Sequence, residues 1–250
     1  MNMINQDLLM DFLTTINELM HDVEKRDGFS YSKNNYHLFS SREKYYMDIF
    51  NLYTRINDLK RDLERIEVFL RVYPNAKYLT KHNIDKLEYI KYHTEVFFHK
   101  IHTIVEVQKL LLNQVYVLGL SEKQCSWDTI KKKLGDVNIR ALDVVEKYYI
   151  AFEHIIEARH KNTHRAIYND KDTVDFSGGL FIYKTFEQMN KEVDNNFQKI
   201  APKFLLEYEL KMYRKERVNF IKQSRIAAES YIDALVNYVL IDAKEIYDVV

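Results

Sequence analysis

The chain contains little cysteine, proline or glycine: one Cys, two Pro and five Gly occur among 250 residues. The single cysteine, Cys125, excludes an intrachain disulfide framework, argues against a cysteine-based metal cluster and favours the cytosol. Because proline and glycine supply many of the turns in proteins, their scarcity predicts few turns and therefore long elements, which are helices. The composition thus predicts an all-α protein.

The chain also has no excess of charge of either sign. Its 37 Lys and Arg side chains balance its 37 Asp and Glu side chains, so no global field draws it to nucleic acid or to an anionic membrane. The N-terminus lacks the basic and apolar regions of a signal peptide, and the most apolar stretch, 110–120, is too short to span a bilayer. We therefore expect a soluble, cytoplasmic protein without a membrane partner, in which any affinity for nucleic acid comes from a local patch.

The clearest periodicity lies between Ser40 and Pro74, where apolar side chains recur at alternating steps of four and three residues. This seam comprises Tyr45, Ile49, Leu52, Ile56, Leu59, Leu63, Ile66, Leu70 and Tyr73. Ser40 and Glu43 have the spacing of a capping box, which predicts the start of the helix, and Pro74 predicts its end. The seam favours a bundle helix packed against its neighbours, with a coiled coil between two chains as the alternative.

Other periodic segments predict helices over about 3–25, 80–118, 127–134 and 138–166. In the last third of the chain, residues 169–180 are predicted to form a loop because they include Gly178 and Gly179. The Thr185–Gln188 segment is predicted to be a capping box that starts a further helix, to about residue 200. Two separate helices, one ending near Asn219 and one at the C-terminus, bring the predicted total to seven or eight.

The most informative stretch is the heptapeptide 159–165, Arg-His-Lys-Asn-Thr-His-Arg, which ends the helix predicted over 138–166. At 100° per residue, Arg159 falls on the apolar stripe that contains Phe152 and Ile156, a stripe that predicts buried side chains. A guanidinium cannot shed its charge, and burying it unpaired costs several kcal/mol. Arg159 must therefore meet a carboxylate, an anionic ligand or water in a cleft.

Three interpretations of this stretch remain open on residue types alone. In the first, Arg159 forms a structural ion pair with an acidic side chain of a neighbouring helix. In the second, Glu157, His160 and His164 bind a metal, because Glu-x-x-His occurs in di-metal helical bundles. Such a site needs a second motif, and the one at 18–21 is expected to point away from the core, while Arg159 would repel a cation. We therefore predict no metal and no cofactor. The third interpretation is phosphodiester chemistry.

Arg159 and His164 form an Arg-x4-His motif, with the polar His160 directly after the arginine. In this respect the chain resembles the HEPN superfamily, small helical domains many of which are metal-independent ribonucleases. The resemblance implies that Arg159 and His164 are catalytic and that RNA is cleaved by 2′-hydroxyl attack, which leaves 2′,3′-cyclic phosphate and 5′-hydroxyl ends. It implies an endoribonuclease of the toxin or antiviral-defence type, with a non-catalytic HEPN-like binding or scaffold module as the alternative.

The resemblance also suggests partners for the site. RNA is the expected ligand, and a homodimer is the expected assembly, with an antitoxin as a further expected partner. Five residues apart on a continuous helix, Arg159 and His164 point about 140° apart. Either the helix bends near Asn162–Thr163 or two chains combine their motifs across a two-fold axis, as HEPN ribonucleases typically do. Residues expected to support RNA binding are His160, Lys161, Asn162, Arg165 and Tyr168.

We interpret residues 1–250 as a single all-α domain, a long-helix up-and-down bundle of the HEPN type with additional N- and C-terminal helices. Within it, residues 80–170 are the predicted HEPN-like core that carries the motif. Residues 1–75 are a predicted N-terminal helical elaboration, and residues 185–250 are predicted to pack on the core as C-terminal helices.

Overall fold

The computed structural model describes residues 4–73, 76–82, 84–135, 140–165 and 174–247, with only the backbone described at 76, 80, 161–165, 174–175 and 247. These residues form nine α-helices and no strand, so the all-α prediction is confirmed. The helices are α1 (Gln6–Glu24), α2 (Ser41–Arg71), α3 (Ala76–Lys81), α4 (Lys86–Val115), α5 (Trp127–Leu134), α6 (Arg140–Arg165), α7 (Val174–Gln188), α8 (Asn195–Ile200) and α9 (Lys203–Tyr247). None of the described helices combines the length and the apolarity needed to cross a membrane.

Helix α2 follows the predicted seam closely. The seam residues from Tyr45 to Leu70 are buried within the single chain, apart from the half-buried Leu52. The predicted capping box is present, since the backbone N–H of Glu43 donates to Ser40 Oγ over 3.3 Å and the backbone N–H of Ser40 donates to Glu43 Oε2 over 2.7 Å. The buried seam supports the interpretation of α2 as a bundle helix, because the chain's own side chains cover it.

Two predictions for the segment 169–188 are wrong. Its described part, from residue 174 onward, belongs to α7, so Gly178 and Gly179 lie inside a helix and not in a loop. The glycine at 179 has a packing reason, because a Cβ atom there would lie 2.8 Å from Leu206 Cδ1. Thr185 does not cap a new helix either: its hydroxyl donates to the carbonyl of Phe181 over 2.9 Å, within the last turns of α7. Residues 169–173 lie outside the described residues.

The predicted boundary near Asn219 is also wrong, because α9 continues without interruption for 45 residues. Two arginines on either side of the predicted boundary make tertiary contacts within the continuous helix. The Nε of Arg214 donates to the carbonyl of Leu70 over 2.7 Å, and the Nε of Arg225 donates to Glu67 Oε2, also over 2.7 Å.

The chain divides into two compact units, and α2, α4, α6 and α9 each contribute residues to both. Unit 1 comprises Met1–Asp62, Ile101–Glu153 and Ile226–Val250. Its core includes Tyr148, which is fully buried and whose hydroxyl donates to the carbonyl of Ile101 over 3.2 Å. The N-terminal part of this unit is held by an ion pair of 2.5 Å between Arg26 Nη2 and Glu43 Oε1.

Unit 2 comprises Leu63–Lys100 and His154–Arg225 and carries the described part of the candidate site. Its buried core is apolar and aromatic, with contributions from the end of α2, the first half of α4, the end of α6, α7 and the first half of α9. The core residues include Leu63, Ile66, Leu70, Ile90, Phe97, Ile155, Phe176, Leu206, Tyr213 and Ile221. Helices α7 and α9 pack antiparallel in this unit, since Phe176 contacts Tyr213 and Gly179 approaches Leu206.

Candidate active site

Arg159 extends the buried stripe of α6 by one turn. Phe152, Ile155 and Ile156 are 3%, 0% and 3% exposed, which shows that this face of the helix is the packed one. Arg159 follows on the same face and is half-buried, with its Nε atom inaccessible to solvent. The prediction that Arg159 lies at a core-facing position agrees with its half-buried side chain.

The imidazole of His160 lies beside that guanidinium. Arg159 Nη1 is 3.5 Å from His160 Nδ1, and His160 itself is exposed on the flank of the stripe. A guanidinium only donates hydrogen bonds, so this contact forms when Nδ1 carries no proton. At 3.5 Å the bond is long and weak, and a stronger acceptor such as a phosphate oxygen would compete effectively for the same donor.

The rest of the predicted site lies largely outside the described residues. Side chains of 161–165 are not described, which includes the predicted residues Lys161, Asn162, His164 and Arg165, and Tyr168 lies outside altogether. The backbone is informative, however, because α6 runs as one helix from Arg140 to Arg165 and has no break at 162–163. Positions 159 and 164 are therefore about 140° apart around the helix axis. A single copy of α6 does not turn both positions towards one phosphate.

An aromatic cluster surrounds the end of α6 in unit 2. The ring of His154 lies 6.2 Å from that of Phe220 on α9, and Phe220 in turn contacts Phe97 and Phe98 of α4, at 6.4 and 6.2 Å. These edge-on contacts fix the last turns of α6 against α4 and α9. The part of α6 around His154, just before the motif, is thus packed against α9, which in turn packs on α4.

A second arginine lies on this aromatic cluster, and the sequence analysis did not single it out. The guanidinium carbon of Arg217 is 5.0 Å from the ring centroid of Tyr213 and 5.9 Å from that of Phe220. Its only signal in the sequence is the charged segment 214–217, Arg-Lys-Glu-Arg, which resembles the solvated face of any amphipathic helix. The sequence of α9 alone does not indicate which other helix this face packs against.

The metal interpretation finds no support among the described residues. They contain no group of three or more His, Cys, Asp or Glu side chains arranged to hold an ion. The side chain of His164 is not among those described. Glu18 and His21 of the second Glu-x-x-His motif are both exposed on α1, as expected for a pair that points away from the core.

Cys125, the single thiol, is buried, and burial raises its pKa. A thiol with a raised pKa forms little thiolate near neutral pH, which disfavours a role as a nucleophile.

Comparison with known proteins identifies one family. The family model described as Cthe2314-like HEPN matches residues 46–212, which is two thirds of the chain. The matched range begins in α2, includes the whole of α4 to α8 and ends in α9, and it contains the Arg-x4-His motif. No significant match was found among curated proteins or among solved structures.

Proposed function

The chain belongs to the Cthe2314-like HEPN family, and from that premise we propose that it is a metal-independent endoribonuclease of the toxin or antiviral-defence type. The observation that carries the proposal is the half-buried guanidinium of Arg159 at the end of a packed helix, with an exposed imidazole beside it. Cationic donors fixed on a rigid helix are suited to a phosphodiester, whose charge grows as the transition state forms.

The proposed reaction assigns one role to each catalytic group. The 2′-hydroxyl of the substrate attacks the adjacent phosphorus while an imidazole removes its proton, and the bond from phosphorus to the 5′-oxygen breaks as that oxygen receives a proton. His164 is the proposed acid–base residue because its ordinary pKa lies near neutrality. Arg159 is proposed to bind the non-bridging oxygens in bidentate fashion. The products are a 2′,3′-cyclic phosphate and a 5′-hydroxyl end.

The unbroken course of α6 supports a site shared by two copies of the chain. Because positions 159 and 164 are about 140° apart, one copy of α6 can direct only one of the two residues at a given phosphate. In a two-fold symmetric dimer, the two chains together contribute two copies of each residue. Two copies of His164 would then provide the separate base and acid that the reaction needs. We propose that His160, Lys161, Asn162, Arg165 and Tyr168 contact the bound RNA around this centre.

The test compares RNA cleavage by the wild type with that by Arg159→Ala and His164→Ala, each with and without EDTA. Removing a transition-state donor or an acid–base group typically costs about 10²- to 10³-fold in rate. Arg55→Ala and His21→Ala are matched controls, because both side chains are exposed and lie outside the motif. The proposal expects both motif variants to lose activity, the controls to retain it, and EDTA to have no effect.

Two results would contradict the proposal. Folded wild-type protein that cleaves no RNA, alone or in the presence of a cognate activator, would favour the non-catalytic binding module. Cleavage abolished by EDTA would favour a metal site. Light scattering tests the shared site separately, since the dimer has twice the 30.1 kDa of the chain.

A further inference from the structure

The outward face of α9 in unit 2 carries aromatic rings and lysines along one line. At 100° per residue, six positions between 204 and 222 fall within about 40° of Lys215 around the helix axis. Of these, Lys222 is half-buried and the others are exposed. The six residues, which we call the α9 stripe, are Phe204, Tyr208, Lys211, Lys215, Asn219 and Lys222.

The opposite face of α9 packs into the unit. Leu206 and Tyr213, at about 160–180° from Lys215, are buried. Phe220, which contacts His154 of α6, lies about 140° from Lys215. The α9 stripe therefore faces away from the packed core of unit 2 and from the contact between α9 and α6.

The two rings of the α9 stripe are accessible to a ligand. Phe204 is 68% exposed and Tyr208 is 60% exposed. They lie one turn apart on the same face of the helix, which places their Cβ atoms about 5–6 Å apart. Nucleobases stack on exposed aromatic rings with little regard to sequence, because every base has a π-face. The rings thus offer two neighbouring platforms for the bases of a single strand.

The lysines of the α9 stripe carry charge that no carboxylate neutralises. Among the described residues, none forms a salt bridge with Lys211, Lys215 or Lys222. Glu207 comes nearest to the stripe, one turn before Lys211. The acidic residues of this stretch of α9 flank the stripe at about 80–120° from Lys215, and they are Glu207, Glu209 and Glu216. Because three cations share a face of α9 that carries no acid, the stripe is complementary to a polyanion.

We propose that the α9 stripe binds single-stranded RNA, with bases stacked on Phe204 and Tyr208 and backbone phosphates paired with the three lysines. The choice of RNA as the ligand rests on the proposed ribonuclease function. To that function the stripe adds a binding surface outside the Arg-x4-His motif, which takes no part in cleavage. Because the substrate and the transition state use these contacts equally, losing them should raise KM and leave kcat unchanged.

The test titrates a fluorescein-labelled, mixed-sequence single-stranded RNA with parent protein that carries His164→Ala, which the proposed function expects to prevent cleavage. The double variant Lys211→Gln/Lys215→Gln should weaken binding about tenfold. It should also reduce the slope of log K against log salt by about 1.4, the contribution of two phosphate contacts on a single strand.

The variant Phe204→Ala/Tyr208→Ala tests the rings separately. It should weaken binding by at least about tenfold through lost stacking and leave the salt slope unchanged. The matched control is Lys132→Gln/Lys133→Gln, which removes two exposed lysines from α5 in unit 1. This control should stay within about twofold of the parent.

The outcomes separate the two proposals. If the parent binds RNA and both stripe variants keep its affinity and salt slope, the stripe proposal is refuted and the ribonuclease proposal stands. If the wild type binds RNA through the stripe but cleaves none, the ribonuclease proposal fails and the stripe proposal stands. A parent that binds no RNA overturns the stripe proposal, and the cleavage assay with Arg159→Ala then decides the other alone.

Two further measurements guard against misreading a variant. Far-UV circular dichroism reports whether each variant is folded, and photocrosslinking of the parent to 4-thiouridine RNA needs no stripe variant. Adducts on the peptide that contains Phe204 and Tyr208 support the proposal, and their absence from α9 overturns it. Binding to phosphatidylglycerol vesicles but not to RNA would identify a membrane-binding surface and would also overturn it.

Discussion

Glu67 offers the sharpest test of how unit 2 is held together. Its carboxylate is buried on α2 and bridges two arginines, at 2.7 Å from Arg225 Nε and 2.5 Å from Arg71 Nη2. Burial raises the pKa of Glu67, but hydrogen bonds from Arg225 and Arg71 outweigh that effect and leave the pKa below its ordinary value. The carboxylate is therefore charged in the folded protein at neutral pH, and Glu67→Gln removes that charge with little change in volume.

The exposure of each arginine sets the size of the effect. The side chain of Arg225 is 19% exposed and that of Arg71 is 49% exposed, against 7% for Glu67. Breaking a buried pair typically costs 3–5 kcal/mol, whereas a solvent-exposed pair contributes up to about 1 kcal/mol. We expect Glu67→Gln to lower the free energy of unfolding by about 3 kcal/mol, because it removes the charge that pairs with the largely buried Arg225, and Arg71→Gln to lower it by less than about 1 kcal/mol.

Urea and thermal denaturation followed by circular dichroism at 222 nm measure both variants. For a protein of this size, about 3 kcal/mol corresponds to a fall of roughly 6–12 °C in the melting temperature. Because the pKa of Glu67 is lowered by folding, its contribution is complete above the ordinary pKa of a glutamate and declines as pH falls through the folded value. The difference between wild type and Glu67→Gln should thus shrink in acid. Equal losses in the two variants, or a difference that grows in acid, would refute the reasoning.

Further predictions concern α7 and α4. Gly178→Ala should raise the free energy of unfolding by about 0.5–1 kcal/mol, because alanine favours a helix and a Cβ there meets nothing within 4 Å. Gly179→Ala should be clearly less stable than Gly178→Ala, since its Cβ would crowd Leu206; equal urea midpoints would contradict this. Burial lowers the pKa of His93, whose ring lies 4.4 Å from that of Tyr89. The unfolded chain therefore takes up its proton first, so stability should fall as pH drops below about 6.5, and His93→Phe should flatten the stability curve between pH 5 and 7. An unchanged curve in the variant would argue against His93 as the source.

Local patterns were sufficient to predict much of α2. The seam and the capping box depend on neighbours three or four residues apart, and such patterns are visible in the sequence. Glu67 shows where this information ends. It lies between seam positions, where a charged residue suggests a solvated face. Glu67 is nevertheless buried, and it pairs with Arg225, which lies 158 residues further along the chain. Periodicity indicates which residues share a face and does not indicate which distant helix covers that face.

The candidate site shows the same difference between local patterns, which are visible in the sequence, and contacts between distant helices, which are not. The stripe through Phe152 and Ile156 predicted the buried placement of Arg159, and the spacing to His164 predicted the angle between the two positions. The contact of α9 with α6 was not predictable, because nothing near the motif in sequence points to Phe220. The prediction of a loop at Gly178 and Gly179 was wrong for a related reason. Gly179 allows α7 to pack closely against Leu206 of α9, and in the sequence such a glycine looks the same as one in a turn.

The helix boundary that was wrongly predicted within α9 also involves contacts between residues far apart in the sequence. Two separate helices were predicted here, one ending near Asn219 and one at the C-terminus. In the structure the helix continues through this stretch, and two of its arginines make tertiary contacts: Arg214 donates to the backbone of α2, and Arg225 neutralises Glu67. Arg217 stacks on Tyr213 and Phe220 of its own helix. Burying a charged side chain carries a desolvation cost, which Arg214 and Arg225 offset through oxygen acceptors within the protein.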